Sequence, residues 1–333
     1  MPRSAGPLFV IGVWRSGTSL LYALLNQHSQ IALMYEGDIL RLQSLFVFGR
    51  NPNWGAKWNF WNAAIERHGL QFDADMQDAG DCRAAFASTC QQYASKRGAD
   101  LWGEKSPYYY DRLIKLHSMW PTARFVVIWR HPVNILRSLR NAERSSSWNV
   151  SSSAALLALV GMERLKNDCD RLRGRGVAVH EVRYEDLTAN PEMCLRRVCE
   201  FLGVAYSPRM TSLADADRSA IFDGEHHGLV KGTSIVNSER EAAALPPALE
   251  VKAARYLRRW ERIFGQEWLD GTTSSGSAAG EPRLAERLSD RLGYECLRAA
   301  DACVRLAFGV VPLSLWKRYR MAKQQMRRAA QDS

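Results

Sequence analysis

Two arginines, a glutamate and a lysine, each set at or near the end of an apolar run, are the residues of this chain whose types and spacing could do chemistry. The first arginine lies in Gly12-Val13-Trp14-Arg15-Ser16-Gly17-Thr18-Ser19, where Gly12 and Gly17 frame four residues at the end of the apolar run 8–13. The frame is that of a phosphate-binding loop, except that Thr18 stands where the motif has lysine. A helical pattern follows at once, with Leu20, Leu21, Leu24 and Leu25 on one face. The first N–H groups of such a helix have no internal partners and its dipole favours an anion. Arg15 adds a charge, and Ser16, Thr18 and Ser19 add hydroxyl donors, so the loop reads as a cradle for a phosphate-like group.

The second arginine ends another apolar run, Arg124 to Trp129, which passes into Arg130-His131-Pro132. A helix from Pro132 to about Arg144 places Ser138 eight residues after Arg130, a second anion-binding candidate. In an ATPase or kinase the cradle lysine reaches the β and γ phosphates and a strand-end carboxylate helps to hold magnesium. Here the lysine is absent and the strand ends in arginine, which suits a nucleotide with one phosphate-like end in the cradle and a second phosphate elsewhere. The short strand Ile31 to Met34 delivers Tyr35, Glu36, Gly37 and Asp38 to its carboxyl end, the edge where open α/β sheets hold ligands. In Leu101-Trp102-Gly103-Glu104-Lys105-Ser106-Pro107, Ser106 is placed as an N-cap and Pro107 at the first position of a helix running to about Ser118, with Lys105 just before it.

The elements that position these residues follow from periodicity. Continuous apolar runs such as 8–13 and 124–129 fit strands buried on both faces, and so a parallel sheet. Residues 39–100 read as a helical insertion whose aromatics, among them Phe46, Phe48, Trp54, Trp58, Phe60, Trp61 and Phe72, form its core or line an acceptor wall. A helix from about Ala154 to Arg173, a strand Val177 to Val182, the segment Arg183-Tyr184-Glu185-Asp186-Leu187 and a helix Pro191 to Leu202 come next. Residues 203–247 lack a clear period but contain the glycine-flanked basic loop His226 to Ser234, with Lys231 and Gly232, of the kind that closes over a cofactor. Ala248 to Phe264 is an amphipathic helix, and Gly271 to Gly280 has linker composition. The expected fold is α/β: a central parallel sheet flanked by helices over residues 1–270, a linker at 271–281 and a basic helical extension at 282–333.

Composition sets the bounds. With 46% hydrophobic and 24% charged residues among 333, most of the chain should fold. A net charge of +10 suits anionic partners without choosing among a nucleotide, an acidic glycan, nucleic acid or a membrane surface. The seven cysteines show no Cys-x-x-Cys pair and read as reduced thiols, a Cys82–Cys90 disulfide being the minority alternative. With a strand beginning by residue 8 there is no room for a signal peptide, and no run of about 18 uncharged apolar residues occurs. The expectation is a cytoplasmic protein, with the 282–330 segment either a docking or dimerising tail or a basic amphipathic face on an anionic membrane.

Four of these segments together carry a resemblance. Arg15-Ser16-Gly17-Thr18-Ser19, Gly103-Glu104-Lys105-Ser106-Pro107, Arg130 with Ser138, and Arg183-Tyr184-Glu185-Asp186-Leu187 resemble, in order and approximate spacing, the sulfotransferases that use 3′-phosphoadenosine-5′-phosphosulfate (PAPS), most nearly the carbohydrate and tyrosylprotein members, over residues 8–265. The resemblance implies a P-loop-like sulfotransferase fold, PAPS as donor and PAP as product. It also implies roles: Arg15, Ser16, Gly17, Thr18 and Ser19 for the 5′-phosphosulfate, Arg130 and Ser138 for the 3′-phosphate, and Tyr184 with the Lys231-Gly232 loop around the adenine and 3′-phosphate. Glu36 matches a catalytic glutamate and Lys105 a lysine that stabilises the leaving group's bridging oxygen, with Asp38 or Glu104 as alternative bases. No metal is required, since cationic side chains and the helix N-terminus supply the charge; adjacent His226 and His227 lack a third ligand at useful spacing. No nucleic acid partner is expected, and the acceptor is a hydroxyl or amine of a glycan, lipid or other molecule. Two departures stand out: Trp14 replaces a proline common before the loop arginine, and His131 replaces an aspartate whose carboxylate would orient the loop after Arg130. The rival readings are a P-loop kinase or nucleotide hydrolase, and a catalytically silent glycan- or lipid-binding protein.

Overall fold

Five apolar runs become five strands of one sheet: β1 (Leu8–Ile11), β2 (Ile31–Tyr35), β3 (Leu101–Lys105), β4 (Arg124–Trp129) and β5 (Val179–Arg183). All neighbours are parallel, in the order β2-β3-β1-β4-β5. The computed structural model describes residues 6–43, 54–71, 81–145, 152–222, 232–235, 247–265 and 284–310, with 230, 245 and 315 singly. β1, β2 and β3 are buried throughout, as unbroken apolar runs dictate when both faces of a sheet are covered.

Alternation along each strand divides the core in two. Phe9, Ile11, Phe125 and Val127 point to one face, where Trp58 and Trp61 of α2 (Trp54–Arg67) and Phe86 of α3 (Cys82–Arg97) pack on them. Leu8, Val10, Val126 and Ile128 point to the other, under Leu21 and Leu24 of α1 (Thr18–Leu25). Trp58 and Trp61 are therefore insertion core, as their density predicts, whereas Trp54 and Phe60 are only partly buried. Phe46, Phe48 and Phe72 lie outside the described residues. Burial of each such ring contributes on the order of 2–3 kcal/mol.

The helix expected from Ser106 to Ser118 is broken. Ser106 does cap it, its Oγ accepting from the Tyr108 amide at 3.1 Å, but a single 3-10 turn (Pro107–Tyr109) ends there and α4 (Leu113–Met119) starts anew. The break follows from Tyr109, whose hydroxyl donates to Glu104 (2.6 Å) beneath the sheet edge and holds the turn back against β3. After β4 come α5 (Pro132–Ser145) and α6 (Ser152–Arg173); after β5 come α7 (Tyr184–Ala189) and α8 (Pro191–Leu202), then α9 (Pro247–Phe264). Where two or more helices were expected over 282–330, one long helix, α10 (Leu284–Val310), is described. It docks on α6 and α9: Glu163 accepts from Arg259 (2.8 Å) and Tyr294 (2.5 Å), and Arg164 pairs with Asp301 at 2.9 Å. No described helix is long and apolar enough to cross a membrane. Cys82 and Cys90 are both free and sit eight residues apart on α3, about 12 Å along the axis, beyond the reach of a disulfide.

The topology decides where the chemistry gathers. The chain places β3 and β2 on one side of β1 and β4 and β5 on the other, so the loop after β1 lies where the winding reverses, the crevice in which such sheets hold ligands. Register brings the ends level: Lys105 pairs with both Val10 and Tyr35.

Candidate active site

The loop between β1 and α1 is shaped by its two glycines. Gly17 has φ of 101°, and a Cβ there would lie 2.3 Å from Cδ2 of Tyr184; a Cβ on Gly12 would lie 2.4 Å from the Ser16 oxygen and 2.6 Å from the Ile128 carbonyl. The backbone is thus pressed against β4 and α7, with the Ser16 amide donating back to the Val13 carbonyl at 3.1 Å. Ser16 is fully buried, and its Oγ has no hydrogen-bond partner among the described residues. The start of α1 has no side-chain cap and no acidic residue in its first turn. An orphaned hydroxyl, uncapped helix amides and Arg15 together fit a tetrahedral anion such as the phosphosulfate end of a nucleotide. Gly17→Ala is expected to cost about 1–3 kcal/mol in backbone strain before the clash with Tyr184 is counted. Thermal unfolding with and without PAP checks this, with both the melting temperature and the ligand-induced shift reduced.

The second candidate anion position is assembled from three elements. Arg15 donates from Nε to the Ser138 hydroxyl of α5 at 2.9 Å, and Arg130, at the end of β4, donates to the Arg15 carbonyl at 3.1 Å. The Arg130 guanidinium stacks 4.2 Å over the Tyr184 ring. Burial, and then the charge of Arg130, push the Arg15 pKa down to about 10, so both stay cationic at neutral pH and a bound anion would relieve their opposition. His131 does not leave the loop without a carboxylate. Its backbone N–H donates to Glu185 Oε1 at 2.8 Å, so the orienting group comes from the Arg183-Tyr184-Glu185-Asp186-Leu187 segment. Burial pushes the His131 ring down to about 4, leaving it neutral and structural.

Glu36 and Lys105 meet at the ends of β2 and β3. The Lys105 ammonium, fully buried, donates to the Glu36 carboxylate and to Ser19 Oγ (3.0 Å), and lies 4.0 Å over the Tyr35 ring. Ser19 and the Tyr35 hydroxyl are 2.8 Å apart. Burial raises the Glu36 carboxyl above its ordinary range against the pull of Lys105, and burial lowers Lys105 against the pull of Glu36. Among the described residues the non-glycine positive-φ positions are Arg15 (68°), Glu36 (44°) and Asp38 (59°), all at this edge. Strain of this kind costs about 1–3 kcal/mol per residue.

That backbone is held by Glu104, which reading along the sequence left as one of three alternative bases. Its Oε1 accepts from the Gly37 and Asp38 amides (2.6 and 2.8 Å) and its Oε2 from Tyr109 (2.6 Å), while Asp38 accepts the Ser106 hydroxyl. Both carboxylates are committed to the turn that presents Glu36, and Glu36 alone of the three contacts Lys105. Burial, then the Asp38 charge, raise Glu104 to about 8. A raised carboxyl gives stability that is full below its unfolded pKa, about 4.5, and is lost as pH climbs to about 8. Glu104→Gln keeps the acceptor oxygen and removes the titration. Its stability relative to wild type is expected to rise by up to about 1.4 kcal/mol per pH unit across that window, read from urea denaturation at pH 5, 6, 7 and 8.

The structure thus brings together Arg15, Ser16, Gly17, Thr18, Ser19, Glu36, Lys105, Arg130, Ser138 and Tyr184. The Gly232 carbonyl accepts from Arg218 at 2.6 Å. Lys231, His226 and His227 lie outside them. Sequence reading missed the support that Tyr109 gives Glu104 and that Ser106, read only as a cap, gives Asp38: the first is a contact five residues apart with no motif to mark it, and the second joins residues that follow two different strands.

Comparison with known proteins places the chain in a family. The model of the sulfotransferase family matches residues 7–208. The chain is 28% identical over 229 residues to the nodulation protein NoeE of Sinorhizobium fredii, covering 62% of this chain but only 53% of NoeE, so it spans about half the length of that relative. It is 24% identical over 270 residues to a Caenorhabditis briggsae protein named as a protein-tyrosine sulfotransferase, covering 79% of this chain and 83% of that one. Among solved structures, the sulfotransferase domain from the Synechococcus olefin synthase superposes with a TM-score of 0.51 at 19% identity, over 76% of this chain and 94% of that one, a likeness of fold. With the family model covering the loop, the Glu36–Lys105 pair, Arg130 and Ser138 in a single stretch, this chain belongs to the sulfotransferase family.

Proposed function

We propose that the chain transfers a sulfuryl group from PAPS to a hydroxyl, or an amine, of a carbohydrate or glycolipid acceptor. The observation that carries this reading is that the Lys105 ammonium donates both to Glu36 and to Ser19 of the loop, which sets a base and a cation side by side next to the anion cradle. Arg15, Ser16, Gly17, Thr18 and Ser19 would hold the 5′-phosphosulfate, and Arg130 and Ser138 the 3′-phosphate, with Tyr184 beneath Arg130 and the Lys231-Gly232 loop near the adenine. When bound, the donor supplies the sulfuryl group, whose bond to the phosphate oxygen breaks as the acceptor oxygen bonds to sulfur. Glu36 accepts the acceptor's proton; its raised pKa makes it a stronger base near neutral pH than an exposed carboxylate. Lys105 stabilises the charge left on the departing phosphate, in a buried setting where such an interaction is stronger than in water.

Incubating the protein with sulfate-labelled PAPS and lipid, glycan and tyrosyl-peptide extracts tests the reading. Labelled product is the expected result. Hydrolysis or transfer from ATP with magnesium, and none from PAPS, would instead mark a nucleotide kinase or hydrolase. Binding of glycan or lipid with no transfer from either donor would mark a silent binding protein.

A further inference from the structure

We infer that α10 carries a self-complementary face on which a second copy of this chain packs, helix antiparallel to helix, about a twofold axis near Ala299; the inference is independent of the transferase reading. One face of α10 is already taken. Tyr294 and Asp301 are buried and Leu297 is partly buried against α6 and α9, where Tyr294 donates to Glu163 and Asp301 accepts from Arg164. With 3.6 residues per turn, Leu292, Cys296, Ala299, Cys303 and Leu306 fall on the opposite side, in steps of four, three, four and three residues that keep them in one line. All five are exposed, Leu292 to 68% and Leu306 to 70%.

The order of residues along this line identifies the occupant. A twofold contact requires one patch to match itself, and the line reads Leu-Cys-Ala-Cys-Leu from either end, with Ala299 seven residues from each leucine. Turned end over end about Ala299, it sets Leu292 against Leu306 of the second copy and Cys296 against Cys303 of the second copy. The exposed Ala299 and Ala300 meet their own counterparts at the centre. Small residues there allow the helix axes to approach to the short end of the ~8–10 Å range, and the leucines close the two ends, about 21 Å apart.

Charge agrees with this choice. Two copies of a chain with net charge +10 repel one another, so the surfaces that meet must not add like charges to the contact. The line itself holds no charged side chain, and beside it Glu295 and Arg298 pair with each other at 3.2 Å. A lipid surface is the poorer occupant: helices that lie on membranes present bulky Trp, Phe and Leu, whereas three of these five residues are alanine or cysteine. Contact along the whole of α10, about 40 Å long and about 10 Å wide, covers roughly 400 Å² per copy against the about 800 Å² of a standard interface. The dimer therefore belongs to the weak, concentration-dependent class.

Sedimentation equilibrium of the full chain from about 1 to about 200 µM, the range in which so small an interface associates, is expected to show a 37.6 kDa monomer passing to a dimer of twice that mass. Leu292→Glu and Leu306→Lys each put a charge into an apolar contact and are expected to raise the dimer dissociation constant by about tenfold or more. The two together should restore it, because each glutamate then faces a lysine of the second copy. Circular dichroism and Tm at low concentration should match wild type in all three, since the docked face of α10 is unchanged. Cys296 and Cys303 are exposed and the other five cysteines buried, so a short bismaleimide reports orientation: a mixture of the Cys296→Ala and Cys303→Ala variants should cross-link to mixed dimer more than either variant does with itself. A monomer at every concentration, whether or not it binds anionic vesicles, overturns the inference. So does a dimer that both single leucine variants leave at full strength, or cross-linking of each cysteine variant with itself in preference to the mixture.

Discussion

Glu36→Gln is expected to lower kcat for sulfate transfer by about 10²- to 10⁴-fold, the range a positioned general base supplies, with the dissociation constant for PAP unchanged. Glutamine preserves the shape of the side chain and an oxygen to accept from Lys105, but it cannot take a proton from the acceptor. The split between kcat and nucleotide binding matters, because a change confined to chemistry is what loss of a transition-state interaction looks like. Glu104→Gln is the informative control: among the described residues the hydrogen bonds of its carboxyl go to the Gly37 and Asp38 amides and Tyr109, so it should alter the pH dependence of stability far more than kcat. A wild-type kcat in the Glu36 variant would place the base elsewhere.

The second large effect falls on Lys105, which is buried with no exposed surface and is paired with Glu36, Ser19 and the Tyr35 ring. Lys105→Met removes the cation from a buried pair and leaves an uncompensated carboxyl, a change that costs about 3–5 kcal/mol. The Glu36 carboxyl can escape part of that cost by staying protonated. A carboxyl with a raised folded pKa loses stability as pH rises, so the penalty should be smallest near pH 5 and grow towards pH 8. Adding Glu36→Gln to Lys105→Met should restore most of the loss, since replacing both members of a buried pair is often close to neutral. Urea denaturation of the two single variants and the double variant at both pH values closes the cycle. Independent, additive effects would show that the pair is not coupled. In activity, Lys105→Met is expected to cost about 10²- to 10³-fold in kcat, the scale for losing one preorganised group that stabilises developing charge.

Much of this protein can be read directly along its sequence, where the signal is local. The unbroken apolar runs at 8–11 and 124–129 predict strands buried on both faces, because a sheet covered by helices on both sides leaves no solvent face to alternate with. Gly12 and Gly17 with Arg15 mark a cradle, because only a residue without Cβ tolerates φ of 101° against the Tyr184 ring. Glu36 and Arg130 follow strands and Lys105 ends one, so the carboxyl edge of the sheet is implied for these three, with Ser138 two turns into the helix after Arg130. The boundary errors are also local: the turn at Tyr109 ends a helix that Ser106 and Pro107 start well, because the Tyr109 hydroxyl donates to the Glu104 carboxyl five residues back in β3.

What the tertiary structure alone decided is which carboxylate does which task and where the orienting charge comes from. Asp38, Glu104 and Glu36 are equivalent as letters near a strand end. They separate only when β2 and β3 lie side by side with Tyr35 level with Lys105, so that Glu36 meets the lysine, Glu104 is consumed by backbone amides and Asp38 by Ser106. The loss of an aspartate after Arg130 is likewise made good by Glu185, fifty-four residues on, because β4 and β5 pair with Trp129 beside Arg183. Sequence fixes the residue types and their local elements through periodicity and backbone sterics. Partnership between residues dozens of positions apart depends on strand order and register, which no local pattern encodes.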